Sequence, residues 1–243
     1  MFLTLALVSL YANEGLREKA LSKGLRPIPK DFSTLKAQVN DKYNPLTIPK
    51  IELGKKLFFD KNLSFDRTIS CESCHDLQKG GVDAKPTAIG YKHRSNPSHL
   101  NSPTVLNTAY SKHLFWDGRA KSLREQAKGP TQASFEMAST PELIESRVGE
   151  NPEYIKAFRK VFGEDEITFD NITKAIAAYE KILVTRSSYD EFLEGNETAL
   201  TKEEKRGLNL FIDMGCKPVI LSLLLVDKRF KSFRYERITV LLI

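Results

Sequence analysis

The sequence predicts a mainly α-helical protein with a large share of ordered loops. At Thr140-Pro-Glu, Asn151-Pro-Glu and Thr201-Lys-Glu-Glu a capping side chain stands directly before Pro or Lys-Glu, a pattern typical of helix starts. A further helix is predicted after Thr168, because apolar residues recur there at steps of three and four. No stretch alternates apolar and polar residues in the way that a half-buried strand does.

The elements follow from local patterns along the chain. Residues 51–59 suit a helix, whereas residues 76–120 are crowded with Gly, Pro, Asn and Ser and show no sustained period. Long ordered loops of this kind usually wrap something. The stripe after Thr168 predicts a core helix, and its members are Phe169, Ile172, Ile176, Tyr179 and Leu183.

The charge of the chain is concentrated at its end. The formal net charge is +6, but residues 217–243 hold six Lys and Arg against two Asp and Glu, which leaves +2 for the rest. Because the excess is local, the composition predicts no nucleic-acid partner. Three cysteines, Cys71, Cys74 and Cys216, are too few for a disulfide framework, so cysteine chemistry is the better interpretation.

The first residues are apolar. Residues 1–12 resemble the remnant of an export signal, although they lack its positive start, and a short buried apolar end is the alternative. No run is long enough to span a bilayer, since the apolar stretch at residues 219–226 falls well short.

Cys71-Glu-Ser-Cys74-His75 is the most specific motif in the chain. Two thiols at this spacing add to the two vinyl groups of a porphyrin, and the adjacent imidazole binds the iron from one face, which predicts one covalently attached haem c. A zinc knuckle or a thioredoxin-type pair is the alternative. A strong sixth iron ligand would make the protein an electron carrier, and an open sixth position would make it an enzyme.

Between about residues 50 and 216 the sequence resembles the bacterial dihaem cytochrome c peroxidases, the family that also contains the methylamine-utilisation haem enzymes. The blocks that carry the resemblance are Leu53-Gly-Lys-Lys-Leu-Phe-Phe-Asp60, Ile69-Ser-Cys-Glu-Ser-Cys-His-Asp76, Gly80-Gly-Val-Asp83, Asn101-Ser-Pro-Thr-Val-Leu-Asn107, Phe115-Trp-Asp-Gly-Arg-Ala120, Glu125-Gln-Ala-Lys-Gly-Pro130 and Phe169-Asp-Asn-Ile-Thr-Lys-Ala-Ile-Ala-Ala-Tyr-Glu180.

The resemblance implies a periplasmic enzyme that reduces hydrogen peroxide to water with electrons from a small c-type cytochrome or similar donor, commonly as a homodimer. By position Glu136 matches the distal glutamate and Gln126 the amide beside it. Trp116 matches the residue between the two haems, and Asn101 matches a calcium ligand. Otherwise Glu136 would be a solvated capping residue, Trp116 a core residue and Asn101 a turn residue.

The loop at residues 89–93, called the distal loop below, departs from the family pattern. Many members have a histidine after an Ile-Gly pair that binds the iron until the enzyme is activated, but here Ile89-Gly90 is followed by Tyr91. A neutral phenol is a poor iron ligand, so the sixth position is expected to be open without reductive activation. His93 is the candidate substitute ligand in this loop, as the alternative to an open site.

The second departure is at Cys216, where the next haem motif of the family should begin but neither a second Cys nor a His follows. A frameshift or an abrupt divergence would explain this change. We therefore expect a haem domain over residues 13–185, an incomplete second cytochrome-like domain over 186–216, a family-unlike tail over 217–243, and one haem. Impaired peroxidase activity is expected; the alternatives are a monohaem electron carrier with His93 or Met137 as sixth ligand, and a non-functional product.

Overall fold

The computed structural model describes residues 15–163 and 167–216. The predicted export signal at residues 1–12 and the tail at 217–243 lie outside this range. The described chain is mainly helical, as predicted, and its β pairing is limited to isolated bridges. Its helices are α1 (Leu16–Ser22), α2 (Phe32–Val39), α3 (Ile48–Phe59), α4 (Cys71–Cys74), α5 (Leu123–Gln132), α6 (Pro141–Gly149), α7 (Pro152–Phe162), α8 (Phe169–Glu180), α9 (Ser188–Leu193) and α10 (Lys202–Asp213).

The helix starts predicted from capping residues are confirmed. Thr140, Asn151 and Thr201 each accept a hydrogen bond from a backbone N–H of the first turn of α6, α7 and α10. Thr168 does the same for α8. These caps satisfy amides that have no partner inside the helix, which fixes where each helix begins.

The chain divides into two compact units, whose described parts are residues 15–27 with 187–216 and residues 28–163 with 167–186. The smaller unit contains α1, α9 and α10. Its apolar core includes Ala20, Phe192 and Ile212, and Lys19 pairs with Asp213 at 2.5 Å. The domain boundaries drawn from the sequence stay a prediction.

The larger unit is built around α3 and α8. Gly54 of α3 lies so close to α8 that a Cβ there would be 1.9 Å from the carbonyl oxygen of Ala175. Tyr179 of α8 packs edge-on against Phe58 of α3, with ring centroids 5.4 Å apart. The core helix predicted from the apolar stripe is therefore confirmed, and its close contact with α3 depends on a glycine.

The segment between α3 and α5 follows an irregular path around this core. Apart from α4, its regular structure consists of short 3₁₀ turns. Several non-glycine residues in it have left-handed backbone, among them Arg67, Asn107 and Phe115. The segment carries all the predicted haem-attachment residues, and one of them, Cys71, packs against the core.

Candidate haem-binding site

The four-residue helix α4 presents both cysteines of the haem motif. Ser70 and Ser73 form a capping box at its start, in which the Ser73 hydroxyl accepts a hydrogen bond from the Ser70 N–H at 3.0 Å. Such a box fixes a helix too short to persist on its own. Cys71 and Cys74 are three residues apart and so lie on the same side of this turn, and both thiols are free.

His75 ends α4 and is oriented by the following loop. Its Nδ1 lies 3.2 Å from the carbonyl oxygen of Gly81, which leaves Nε2 as the ring atom that can bind a metal. Burial lowers the pKa of His75, against the opposing effect of the Gly81 and Pro103 carbonyls, so the ring is held neutral as iron ligation requires. Gly81 has φ 73°, and a Cβ there would be 2.9 Å from the Thr104 hydroxyl.

The two thiols are kept protonated by their surroundings. Burial raises the pKa of Cys71, and the carboxyl of Glu180 on α8 adds to the effect. Burial also raises the pKa of Cys74 to about 11, with further contributions from Asp83 and Glu136. The neighbourhood of the motif thus contains three carboxyl groups, of which Glu136 and Glu180 are remote in sequence.

These features fit a covalently attached haem. Two free cysteines lie on one side of a turn, a neutral imidazole follows them, and Cys71 packs against the apolar core of the larger unit. A zinc knuckle would need a group of His, Cys, Asp or Glu side chains around one metal ion. In residues 15–163 and 167–216 no group of three or more such side chains is placed to hold a metal ion.

Glu136, the predicted distal glutamate, lies in a loop fastened to the segment that carries Tyr91. The Tyr91 N–H donates to the Glu136 carbonyl at 2.8 Å. Gly90 is in still closer contact, since a Cβ there would be 2.2 Å from the Phe135 carbonyl oxygen. The Glu136 side chain is half-buried, and burial raises its pKa while Arg119 opposes the rise.

The distal loop places Tyr91 and His93 differently. The Tyr91 ring packs edge-on against Phe65 with centroids 5.6 Å apart, and the Phe65 N–H donates to the Met137 carbonyl at 2.9 Å. His93 is exposed and has left-handed backbone with φ 56°. Of the two, only Tyr91 is held against the Glu136 segment.

The remaining predicted residues lie in three places. Gln126 lies on α5 and is half-buried. Trp116 is 53% exposed, so packing in the core is not its role, and its Nε1 donates to the carbonyl oxygen of Asn101 at 3.1 Å. The alternative sixth ligand Met137 is only 3% exposed and belongs to the core of the larger unit.

Comparison with known proteins identifies the family. The profile described as di-haem cytochrome c peroxidase matches residues 49–198, which is more than half of the chain. The chain belongs to the di-haem cytochrome c peroxidase family. The family resemblance drawn from the sequence blocks is confirmed.

Individual family members agree with this assignment. Cytochrome c551 peroxidase of Pseudomonas aeruginosa is 46% identical over 194 residues, which cover 79% of this chain and 54% of the relative. The enzyme of the same name from Nitrosomonas europaea is 52% identical over 166 residues, covering 68% and 49%. A solved MauG-like protein associated with microbial copper homeostasis superimposes with a TM-score of 0.64 at 30% identity, covering 70% and 51%. The chain thus spans about half the length of the curated relatives it matches.

Three residues beside the haem motif of this family member were missed by the sequence reasoning. Asp83 affects the pKa of both Cys74 and His75, and one of its carboxylate oxygens is buried without a hydrogen-bond partner. The Glu180 carboxyl helps to raise the pKa of Cys71, and the Arg119 guanidinium opposes the rise in the pKa of Glu136. Glu180 was detectable, because it stands four residues after Ile176 on the apolar stripe of α8. The other two lie in loops, where sequence shows no spatial neighbours.

Proposed function

We propose that this chain carries one haem c on Cys71, Cys74 and His75 and reduces hydrogen peroxide to water. The observation that carries the proposal is the half-buried Glu136, whose carboxyl is among the groups that raise the pKa of Cys74 and so acts as an acid–base group near the haem-attachment motif. The names of the relatives support the same reaction. Among the described residues none of the helices is both long and apolar enough to cross a membrane.

When bound, the haem supplies an iron that accepts peroxide and exchanges electrons with it. The polypeptide supplies proton transfer: the Glu136 carboxylate takes a proton from one peroxide oxygen and returns it to the leaving oxygen. Burial raises the pKa of Glu136. This brings the pKa closer to the working pH, where a carboxyl both accepts and returns a proton efficiently. Gln126 is proposed as the amide that orients peroxide beside it. Each peroxide consumes two protons and two electrons and yields two water molecules.

The electrons are proposed to come from a small c-type cytochrome or a similar donor in the periplasm, where haem c proteins are matured. Trp116 is proposed as the relay, because its exposed indole is fixed through Nε1 to the Asn101 backbone. Asn101 itself remains the proposed calcium ligand, and a homodimer the proposed assembly.

Haem attachment is tested first. The chain is exported in a host with c-type haem maturation machinery, and its mass and visible spectrum are compared with those of a Cys71→Ser, Cys74→Ser variant. We expect a coloured protein heavier by one haem, with a high-spin ferric spectrum that shifts on addition of peroxide or cyanide. Colourless protein with the mass of the bare polypeptide would disprove haem binding, and an unreactive low-spin spectrum would favour an electron carrier.

Glu136 is tested next, by stopped-flow mixing of the haem-loaded protein with peroxide. Loss of a general acid–base group typically lowers the reaction rate about 10² to 10⁴-fold, so Glu136→Gln should slow the reaction with peroxide by about that factor. Glu52→Gln, which alters an exposed glutamate on α3, is the matched control and should leave the rate unchanged. Equal rates for the two variants would exclude Glu136 as the proton-transfer residue.

A further inference from the structure

Arg147 of α6 holds a short stretch of backbone that is remote from it in sequence. Its Nη1 donates to the carbonyl oxygens of Asn62 at 3.0 Å and Ser64 at 2.5 Å. Its Nη2 donates to the carbonyl oxygen of Phe65 at 2.9 Å. The acceptors belong to the 3₁₀ turn Lys61–Leu63 and the two residues that follow it. One guanidinium thus fixes three carbonyl groups where this turn ends.

The guanidinium suits this arrangement because its nitrogens have a fixed planar geometry. Both N–H groups of the Arg147 Nη1 are used, and a third donor comes from Nη2. Carbonyl groups at the end of a helical turn have no partner within the turn, so a cationic donor stabilises them there. A lysine, with a single nitrogen, could not form the same fork.

Phe65 connects this fork to the distal loop. Phe65 is 50% exposed, so burial in the core does not fix its position. Its ring packs edge-on against Tyr91 with centroids 5.6 Å apart. Its N–H donates to the Met137 carbonyl at 2.9 Å, and its carbonyl accepts from Arg147. Backbone hydrogen bonds on both sides of Phe65 therefore hold the ring that supports Tyr91.

The same contacts hold two adjacent carbonyls of the segment that carries Glu136. The Tyr91 N–H donates to the Glu136 carbonyl at 2.8 Å, and the Phe65 N–H donates to the next carbonyl, that of Met137. Since the two donor residues also touch through their rings, the four residues form a closed set of contacts. Arg147 lies outside this set and contacts it at the Phe65 carbonyl.

We propose that Arg147 is a positioning residue of the distal side, which acts through Phe65 and Tyr91 to hold the backbone of Glu136 in place for proton transfer. This inference rests on the proposed role of Glu136. Every step in it is a direct contact within the larger unit. Its effect is geometric, and a displacement of about 1 Å at a reacting group can lower a rate about 10²-fold.

The test is hydrogen–deuterium exchange of the haem-loaded protein, measured by mass spectrometry of peptic fragments. Arg147→Met keeps the length of the side chain and removes its donors. The fragments with the Phe65 and Tyr91 amides should exchange roughly tenfold faster or more, because the lost hydrogen bonds involve a charged group. Tyr91 is connected to Arg147 through Phe65, so a purely local role would leave the Tyr91 fragment unchanged. Arg147→Lys retains the charge and one donor nitrogen and should recover part of the protection.

Phe65→Ala tests the route of this effect. It removes the ring but leaves the backbone hydrogen bonds to Arg147 and Met137, and the fold should tolerate it because the ring is half-exposed. We expect faster exchange of the Tyr91 fragment. The double variant Arg147→Met, Phe65→Ala should exchange there no faster than the faster single variant, since both changes act by one route. Additive effects at Tyr91 would overturn this route. Arg147→Lys and Phe65→Ala decide the question if Arg147→Met does not fold.

The matched control is Arg159→Met, which removes an exposed arginine on α7. Unchanged Tyr91 exchange in Arg147→Met, or an equal acceleration in Arg159→Met, would overturn the proposal. At equal haem content, Arg147→Met should also react with peroxide roughly tenfold more slowly or worse, with partial rescue in Arg147→Lys, and a rate equal to wild type would exclude a role in proton transfer. If Glu136→Gln reacts as fast as wild type, the proposed function fails, yet exchange at Tyr91 still decides whether Arg147 holds the distal loop.

Discussion

Glu180 leads to the prediction with the largest expected effect on stability. This glutamate is the last residue of α8 and is only 5% exposed, and one of its carboxyl oxygens is buried without a hydrogen-bond partner. Burial raises its pKa from 4.5 to about 8. The folded protein therefore binds the Glu180 proton more tightly than the unfolded chain does, and ionisation of Glu180 opposes folding.

The magnitude follows from linkage between protonation and folding. Because the pKa is raised in the folded state, the stabilising contribution of the bound proton is complete below pH 4.5 and is lost as the pH rises to about 8. Each pH unit in this window lowers the free energy of unfolding by about 1.4 kcal/mol, so the total fall across the window should be at most about 5 kcal/mol. Glu180→Gln removes the ionisation and with it this pH dependence.

Urea denaturation of the haem-loaded protein, followed by far-UV circular dichroism, measures the effect. Wild type and Glu180→Gln are compared at unit intervals from about pH 5 to about pH 9. The difference in unfolding free energy should grow in favour of the variant up to about pH 8 and then become constant. Glu52→Gln is the control for loss of an exposed carboxyl. Parallel stability curves for wild type and Glu180→Gln would refute the reasoning, whatever their constant offset, because a buried amide has its own desolvation cost.

Further predictions concern the helix contact and the distal loop. Gly54→Ala should destabilise the protein by about 1 to 3 kcal/mol or more, since its Cβ would overlap the Ala175 carbonyl, and thermal unfolding measures this. Tyr91→His should convert a high-spin ferric spectrum to a low-spin one by placing an imidazole in the distal loop, whereas Tyr91→Phe should leave it high-spin. Gly90→Ala should slow the peroxide reaction by displacing Glu136, and a rate equal to wild type would show that the close backbone contact is dispensable.

The sequence was sufficient for the helices whose signals are local. Thr168 and the apolar stripe after it identified α8, because one cap and one periodic face determine that helix. It was not sufficient for α5, which contains Gly129 and Pro130 and so runs against helix propensity. This helix forms because Ser122 caps it and because it packs on α8, and packing of that kind depends on residues far away in the chain.

The candidate site also has one part that the sequence predicts and one part that it does not. The haem motif is contiguous, so its chemistry could be predicted from spacing alone. Arg119 stacks on Phe115, whose ring lies against Gly129 of α5, and this contact joins a tight loop to a helix that is close to Glu136 only along the chain. Neither the left-handed backbone of Phe115 nor the absence of a side chain at Gly129 has a sequence signal of its own, so this contact could not be predicted.

The carboxyls of Glu136 and Glu180 show why the loop that carries Glu136 must be rigid. Glu136 and Glu180 are both removed from water, and burial raises the pKa of each, yet only Glu136 has a cationic neighbour. A flexible segment would let water reach Glu136 and return its pKa to that of a free carboxyl. The close contact at Gly90 and the hydrogen bond from Tyr91 prevent this by fastening the loop to the backbone of Glu136 itself. Loosening that attachment should therefore impair proton transfer even in a variant that retains every charged residue of the site.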